Sequence, residues 1–191
     1  AIIRHLPAVE ALGAVTVICT DKTGTLTRNE MTVQSVITAE VQLQVSGVGY
    51  SPTGGFSQNG KEAPVTDYPD MLDMFRAGML CNEASVHQQD GTWVIHGDPT
   101  EGALITLAMK ATLDPLFEQE KLPRTDVIPF ESEHRFMATL HQDHAGNSRI
   151  YVKGAPEEVL AMCSHQRSQG ENDLIQLGFW HAKIHEASAT G

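Results

Sequence analysis

Ala14 to Thr20 is a short apolar run rich in β-branched side chains, and it ends on Asp21-Lys-Thr-Gly-Thr-Leu-Thr27. Such a run suits a strand buried on both faces, as in a parallel sheet. Asp21 then stands at the carboxyl end of that strand, where open α/β sheets place ligands, and Gly24 lets the backbone turn sharply behind it. Thr23, Thr25 and Thr27 add hydroxyls and a tight row of backbone amides that can hold phosphate oxygens or a hard cation.

A carboxylate in that position can act as a nucleophile and form an acyl phosphate. An anionic carboxylate approaching an anionic phosphoryl group needs its charge screened, which predicts magnesium beside Asp21 and Thr23. The plain alternative is an aspartate that caps a turn. The whole run from Asp21 to Thr27, however, matches the phosphorylation motif of the P-type ATPases, ion pumps that cycle through an aspartyl phosphate. The resemblance implies that Asp21 accepts the phosphoryl group within a loop of Lys22, Thr23, Gly24 and Thr25. Many soluble members of the wider dehalogenase-like superfamily carry a second aspartate where Thr23 stands, as general acid and base. Threonine cannot perform that proton transfer at neutral pH, so a persistent phosphoenzyme is expected.

Hydrophobic residues make up 41% of the chain and charged ones 19%, enough apolar material for a buried core. Lysine and arginine number 13 against 24 for aspartate and glutamate, giving a formal charge of -11. Arg4, Lys22 and Arg28 balance Glu10, Asp21 and Glu30, so the acidic excess lies in residues 31 to 191. A broad basic face for nucleic acid is disfavoured, and any anionic ligand must be met by a few placed cations. Cys19, Cys81 and Cys163 are scattered without a Cys-x-x-Cys pair, which suggests neither a disulfide framework nor a zinc site. No apolar run reaches the roughly 20 residues of a spanning helix.

Residues 1–13 read as a short helix opened at Pro7 and ended at Gly13. Asn29 and Glu30 mark the expected hinge, dividing a phosphorylation-domain piece over 1–29 from a second domain over 30–191. Met31 to Tyr50 alternates as strands, and Ser51 to Pro64, rich in Gly, Pro, Ser and Asn, reads as a surface loop. Asp67 to Cys81 carries Met71, Met74, Phe75 and Met79 at helical spacing, a stripe that suits core packing. His181 and His185 lie one turn apart and read as a solvated helix face.

Three further segments carry chemistry. Trp93 to His96 reads as a strand that leads into Gly97-Asp-Pro-Thr-Glu-Gly102, where a helix to Ala111 starts. Asp98 suits the cap, Pro99 the first helical position, and Glu101 the third residue of a capping box. Asp126 to Phe130 predicts another strand, and Arg135 to His141 with Ser148 to Lys153 predicts a hairpin across Asp143 to Asn147. Lys153-Gly-Ala-Pro156 then leaves a lysine beside a glycine that permits close backbone approach, before a helix from Pro156 to Cys163.

Gly-Asp-Pro-Thr-Glu together with Lys-Gly-Ala-Pro resembles the type II branch of the P-type pumps, the calcium-pump-like group. In that resemblance Glu101 serves the adenine end of an ATP pocket, Phe130 stacks on the base, Arg135 reaches the phosphates, and Lys153 with Gly154 lies at the mouth. Both readings of Glu101, cap and ligand, remain open. Stacking of a base on an aromatic is worth about 1–3 kcal/mol. Many relatives have lysine where Arg135 stands, and arginine meets phosphate through a fork rather than as a point charge.

The implied fold is α+β: an antiparallel sheet flanked by helices, preceded by the first strand of a dehalogenase-like phosphorylation domain. The implied protein is a membrane-embedded, ATP-driven cation pump with ATP and magnesium as cofactors, calcium as the favoured ion, and this part on the cytoplasmic face. The chain is expected to be a soluble excised piece that binds ATP weakly without turning it over, ending near the last strand of its nucleotide domain. A soluble dehalogenase-type phosphatase would explain Asp21 but not Lys153-Gly-Ala-Pro, and a non-catalytic nucleotide-binding module would leave the phosphorylation loop idle.

Overall fold

Turn chemistry and apolar spacing divide this chain into short antiparallel pieces. The computed structural model describes residues 30–189. The expected helix over 1–13, the strand over 14–20 and the phosphorylation loop lie outside the described residues. From Met31 the chain packs as one compact unit.

Four strands, β1 (Ser35–Ile37), β2 (Gln42–Val45), β3 (Phe56–Gln58) and β4 (Lys61–Glu62), pair in sequence order, each antiparallel to the last. Helix α1 (Pro69–Leu80) follows, with Pro69 at its start where a missing N–H costs nothing. Met71, Phe75 and Met79 recur every four residues and form the buried stripe, while Met74 is turned partly to solvent. Phe75 stacks on Phe56 with ring centroids 5.5 Å apart, tying α1 to the first sheet. Leu43, Val45, Leu107 and Ala108 complete this core.

Hairpin β5 (Ser85–Gln89) and β6 (Thr92–His96) leads into α2 (Pro99–Lys110). Helix α3 (Pro115–Lys121) then precedes a three-stranded sheet of β7 (Arg124–Ile128), β8 (Phe136–Gln142) and β9 (Ser148–Gly154), ordered β7-β8-β9. Met137, Thr139 and His141 on β8 are nearly fully buried, as the period of two requires of one inward face. Helix α4 (Pro156–Met162), hairpin β10 (His165–Ser168) and β11 (Glu171–Leu174), and helix α5 (Leu177–Ala189) finish the described chain. The architecture is the α+β arrangement of antiparallel sheets and flanking helices that the sequence predicts. Among the described residues no helix is long and apolar enough to cross a membrane.

Two differences from the sequence-based expectation have local causes. Ser51–Pro64 is not a plain loop but contains the β3–β4 hairpin, turned by Asn59 and Gly60 at φ 51° and 76°. Asp90 and Gly91 do the same for β5–β6 at φ 50° and 79°. Both pairs suit the tight turn that needs two left-handed residues. Strand β7 also starts and stops two residues earlier than expected, so Phe130 lies beyond the strand rather than at its last position.

Candidate functional site

The register of the three-stranded sheet gathers the flagged residues at one end. Ile128 faces Ala138, Met137 faces Lys153 and Phe136 faces Gly154. Phe130 leaves β7, Arg135 enters β8, and Lys153 and Gly154 close β9, all at that end. Phe130 is 59% exposed, which leaves its ring available as an apolar surface. The loop between is short and self-bonded: the Arg135 amide donates to the Glu131 carbonyl at 2.8 Å, and His134 packs on Phe136 with centroids 4.6 Å apart. Arg135 has φ 53°, and its carbonyl accepts from the Ala155 amide at 2.9 Å.

Gly154 has a packing use besides any close approach of a ligand. A Cβ there would stand 2.5 Å from the Arg135 carbonyl oxygen and 2.6 Å from Phe136 Cβ. The backbone that approaches Gly154 closely is therefore the chain's own.

Lys153 Nζ forms an ion pair with Glu101 Oε1, and the two side chains are 20% and 18% exposed. Burial of that degree makes partnership necessary, because a lone charge there would lose hydration without return. Glu101 comes from the first turn of α2. Asp98 caps this helix, its Oδ1 accepting from the Thr100 amide at 2.8 Å and the Glu101 amide at 3.2 Å. The Glu101 carboxylate does not fold back to complete a capping box; its Oε2 accepts from the Glu83 amide at 3.2 Å instead. Of the two sequence readings, the cap needs Asp98 alone and leaves the Glu101 side chain to Lys153.

Cys81 is fully buried within the influence of both charges, its Sγ donating to the Met137 carbonyl at 3.5 Å. Burial pushes its thiol up; contact with Thr139 and the charge of Lys153 pull it back in part. Arg135 is not a free cation. Its guanidinium pairs with Glu158 on α4, the side chains being 51% and 36% exposed. Nothing local in the sequence links Glu158 to Arg135. Asn82, which touches the Glu101 main chain, was likewise not singled out; its place directly after the last residues of α1 is the one signal that could have marked it.

The end of the sheet thus offers an exposed aromatic ring, a largely buried carboxylate–ammonium pair and a guanidinium held by a single, partly exposed carboxylate. A flat base with an anionic tail fits that set of groups. Asp21, Lys22, Thr23, Gly24 and Thr25 lie outside the described residues. Among the described residues no group of three or more His, Cys, Asp or Glu could hold a metal ion.

The family model described as "P-type ATPase, cytoplasmic domain N" matches residues 70–186. A cation-transporting ATPase of Synechocystis is 48% identical over 169 residues, which cover 85% of this chain and 18% of that protein. A calcium-transporting ATPase of Bacillus subtilis is 38% identical over 174 residues, 91% of this chain and 20% of that protein. Calcium-transporting ATPase type 2C member 1 of Bos taurus is 41% identical over 175 residues, 90% of this chain and 18% of that protein. The chain thus spans about a fifth of the length of these relatives. The match over residues 70–186, taken with identities of 38% to 48% over most of the chain, means that this chain belongs to the P-type ATPase family.

Proposed function

We propose that residues 30–191 form the nucleotide-binding domain of an ATP-driven cation pump and that the sheet end bearing Phe130, Arg135, Lys153 and Glu101 receives ATP. The Lys153–Glu101 pair carries this reading, because a family N domain with a largely buried charge pair at the same sheet end as an exposed aromatic has the two features a nucleotide needs. Phe130 stacks on the base, Glu101 and Lys153 orient the adenosine, and Arg135 exchanges Glu158 for a phosphate oxygen. In the intact protein the γ-phosphoryl group passes to Asp21, and that step is coupled to ion movement. Calcium is the favoured ion, since two of the relatives named above are calcium-transporting. This part then lies on the cytoplasmic face of the membrane.

Magnesium would accompany the transfer at Asp21 and Thr23. Among the described residues no group of three or more His, Cys, Asp or Glu could hold that ion.

Heteronuclear NMR of the chain, titrated with ATP and then GTP, tests the site. Expected are shifts centred on Glu101, Phe130, Arg135 and Lys153, stronger for ATP. Shifts centred elsewhere, or none at all, would overturn the assignment. Replacement of Asp21 in the full-length protein tests the transfer step: ATPase activity is lost, whereas a module that only senses nucleotide would keep its response.

A further inference from the structure

Glu101 is held from behind by a residue that cannot itself reach a ligand. Asn82 is buried and follows directly on the end of α1. Its Nδ2 donates both to the Gly78 carbonyl at 3.1 Å and to the Glu101 carbonyl at 3.0 Å. Its Oδ1 accepts from the Ala84 amide at 2.8 Å, and its own carbonyl accepts from Arg124 at 3.3 Å. Both N–H groups and the oxygen of this side chain therefore have a partner, and the next residue, Glu83, gives its amide to the Glu101 carboxylate at 3.2 Å. One turn of chain grips Glu101 twice, at its main chain and at its side chain. A fully satisfied buried amide fixes geometry more strongly than the same bonds at the surface, because each unmade bond there would leave a desolvated group.

We propose that Asn82 is a positioning residue for the nucleotide site: by clasping the end of α1 to the first turn of α2 it sets where the Glu101 carboxylate meets Lys153. This inference rests on the nucleotide reading above, but its mechanical half does not. The test uses Asn82→Ala and Asn82→Ser, the serine hydroxyl still able to accept from the Ala84 amide while losing the reach to Glu101. Without nucleotide, the resonances at the Lys153 Nζ end are followed, since that group pairs with Glu101 directly. In both variants they move toward their positions in Glu101→Ala. Unchanged Lys153 signals in a folded variant overturn the proposal.

With ATP, each variant loses affinity about threefold to tenfold, the size one or two neutral hydrogen bonds convert to. Combined with Glu101→Ala, the Asn82 substitution costs nothing further, because its route to the ligand is already gone. Equal losses in both backgrounds mean that Asn82 supports the fold without positioning Glu101, and the proposal fails. If the parent chain shows no response to ATP, the nucleotide reading fails while the Lys153 signals still decide the clasp. Should Asn82→Ala not fold, Asn82→Ser carries both comparisons.

Discussion

At the scale of single residues, the candidate site combines two kinds of ion pair that differ in burial. Lys153 and Glu101 are four-fifths covered, so each needs the other and neither can be removed without stranding a charge. Arg135 and Glu158 are far more exposed, and such a pair is worth at most about 1 kcal/mol. On the nucleotide reading proposed above, Glu158 is a weak rival to phosphate at Arg135. Glu158→Gln is expected to raise ATP affinity by about twofold to fivefold, an upper limit set by that energy. The gain shrinks as salt rises, because screening weakens the rival pair in the parent chain. NMR titrations at low and high ionic strength measure it, and an affinity equal to or below that of the parent at low salt would reject the rivalry. Lys153 and Glu101 were legible in the sequence because short motifs mark them. Glu158 was not, since its contact with Arg135 spans 23 positions and exists only once β8 and α4 have been placed.

At the scale of elements, periodicity was legible and turn residues were under-read. Helix α1 follows from Pro69 and the Met71, Phe75, Met79 spacing, and α2 from Asp98 and Pro99. Hairpins β3–β4 and β5–β6 were missed, although Asn59-Gly60 and Asp90-Gly91 are the dipeptides that force such turns. Of their strands only β6 is read from the sequence, as Trp93–His96; β3, β4 and β5 are two to five residues long, too short for alternation to emerge. Strand β8 shows what position on an element does to chemistry. His141, 1% exposed, sits with Nδ1 2.8 Å from the Leu122 carbonyl oxygen and Nε2 2.9 Å from Thr139 Oγ1. A neutral ring satisfies both, donating from Nδ1 and accepting at Nε2. Burial holds the imidazole below its ordinary range; the Leu122 bond opposes this and nearby Arg124 adds to it. The unfolded chain then takes up a proton at higher pH than the folded one. Stability is complete above about pH 6.5 and falls as pH drops from there toward the lowered folded value. His141→Asn keeps a donor near Leu122 and removes the titration. Urea midpoints between pH 5 and 7.5 should slope in the parent chain and slope less in the variant; equal slopes would mean that other groups carry the acid sensitivity.

At the scale of the whole molecule, a net charge of -11 sets the terms on which an anionic ligand can bind. The general field of the protein opposes ATP, so the proposed site must draw its affinity from local contacts at the sheet end rather than from a broad attraction. A ligand that binds only the folded form raises its stability by RT ln(1 + [L]/Kd), about 1.4 kcal/mol at ten times Kd. For a domain of this size that amounts to a rise of about 3–6 °C in Tm. Thermal melts with ATP, GTP, tripolyphosphate and sodium sulfate at matched ionic strength separate the contributions. Specific recognition through Phe130 and the Lys153–Glu101 pair predicts the largest rise with ATP, a smaller one with GTP and little with the two inorganic anions. An equal rise with tripolyphosphate would show that only the phosphates are read and that Phe130 is idle. Loss of the ATP effect in Phe130→Ala, with the unliganded Tm unchanged because that ring is 59% exposed, would assign the base to it.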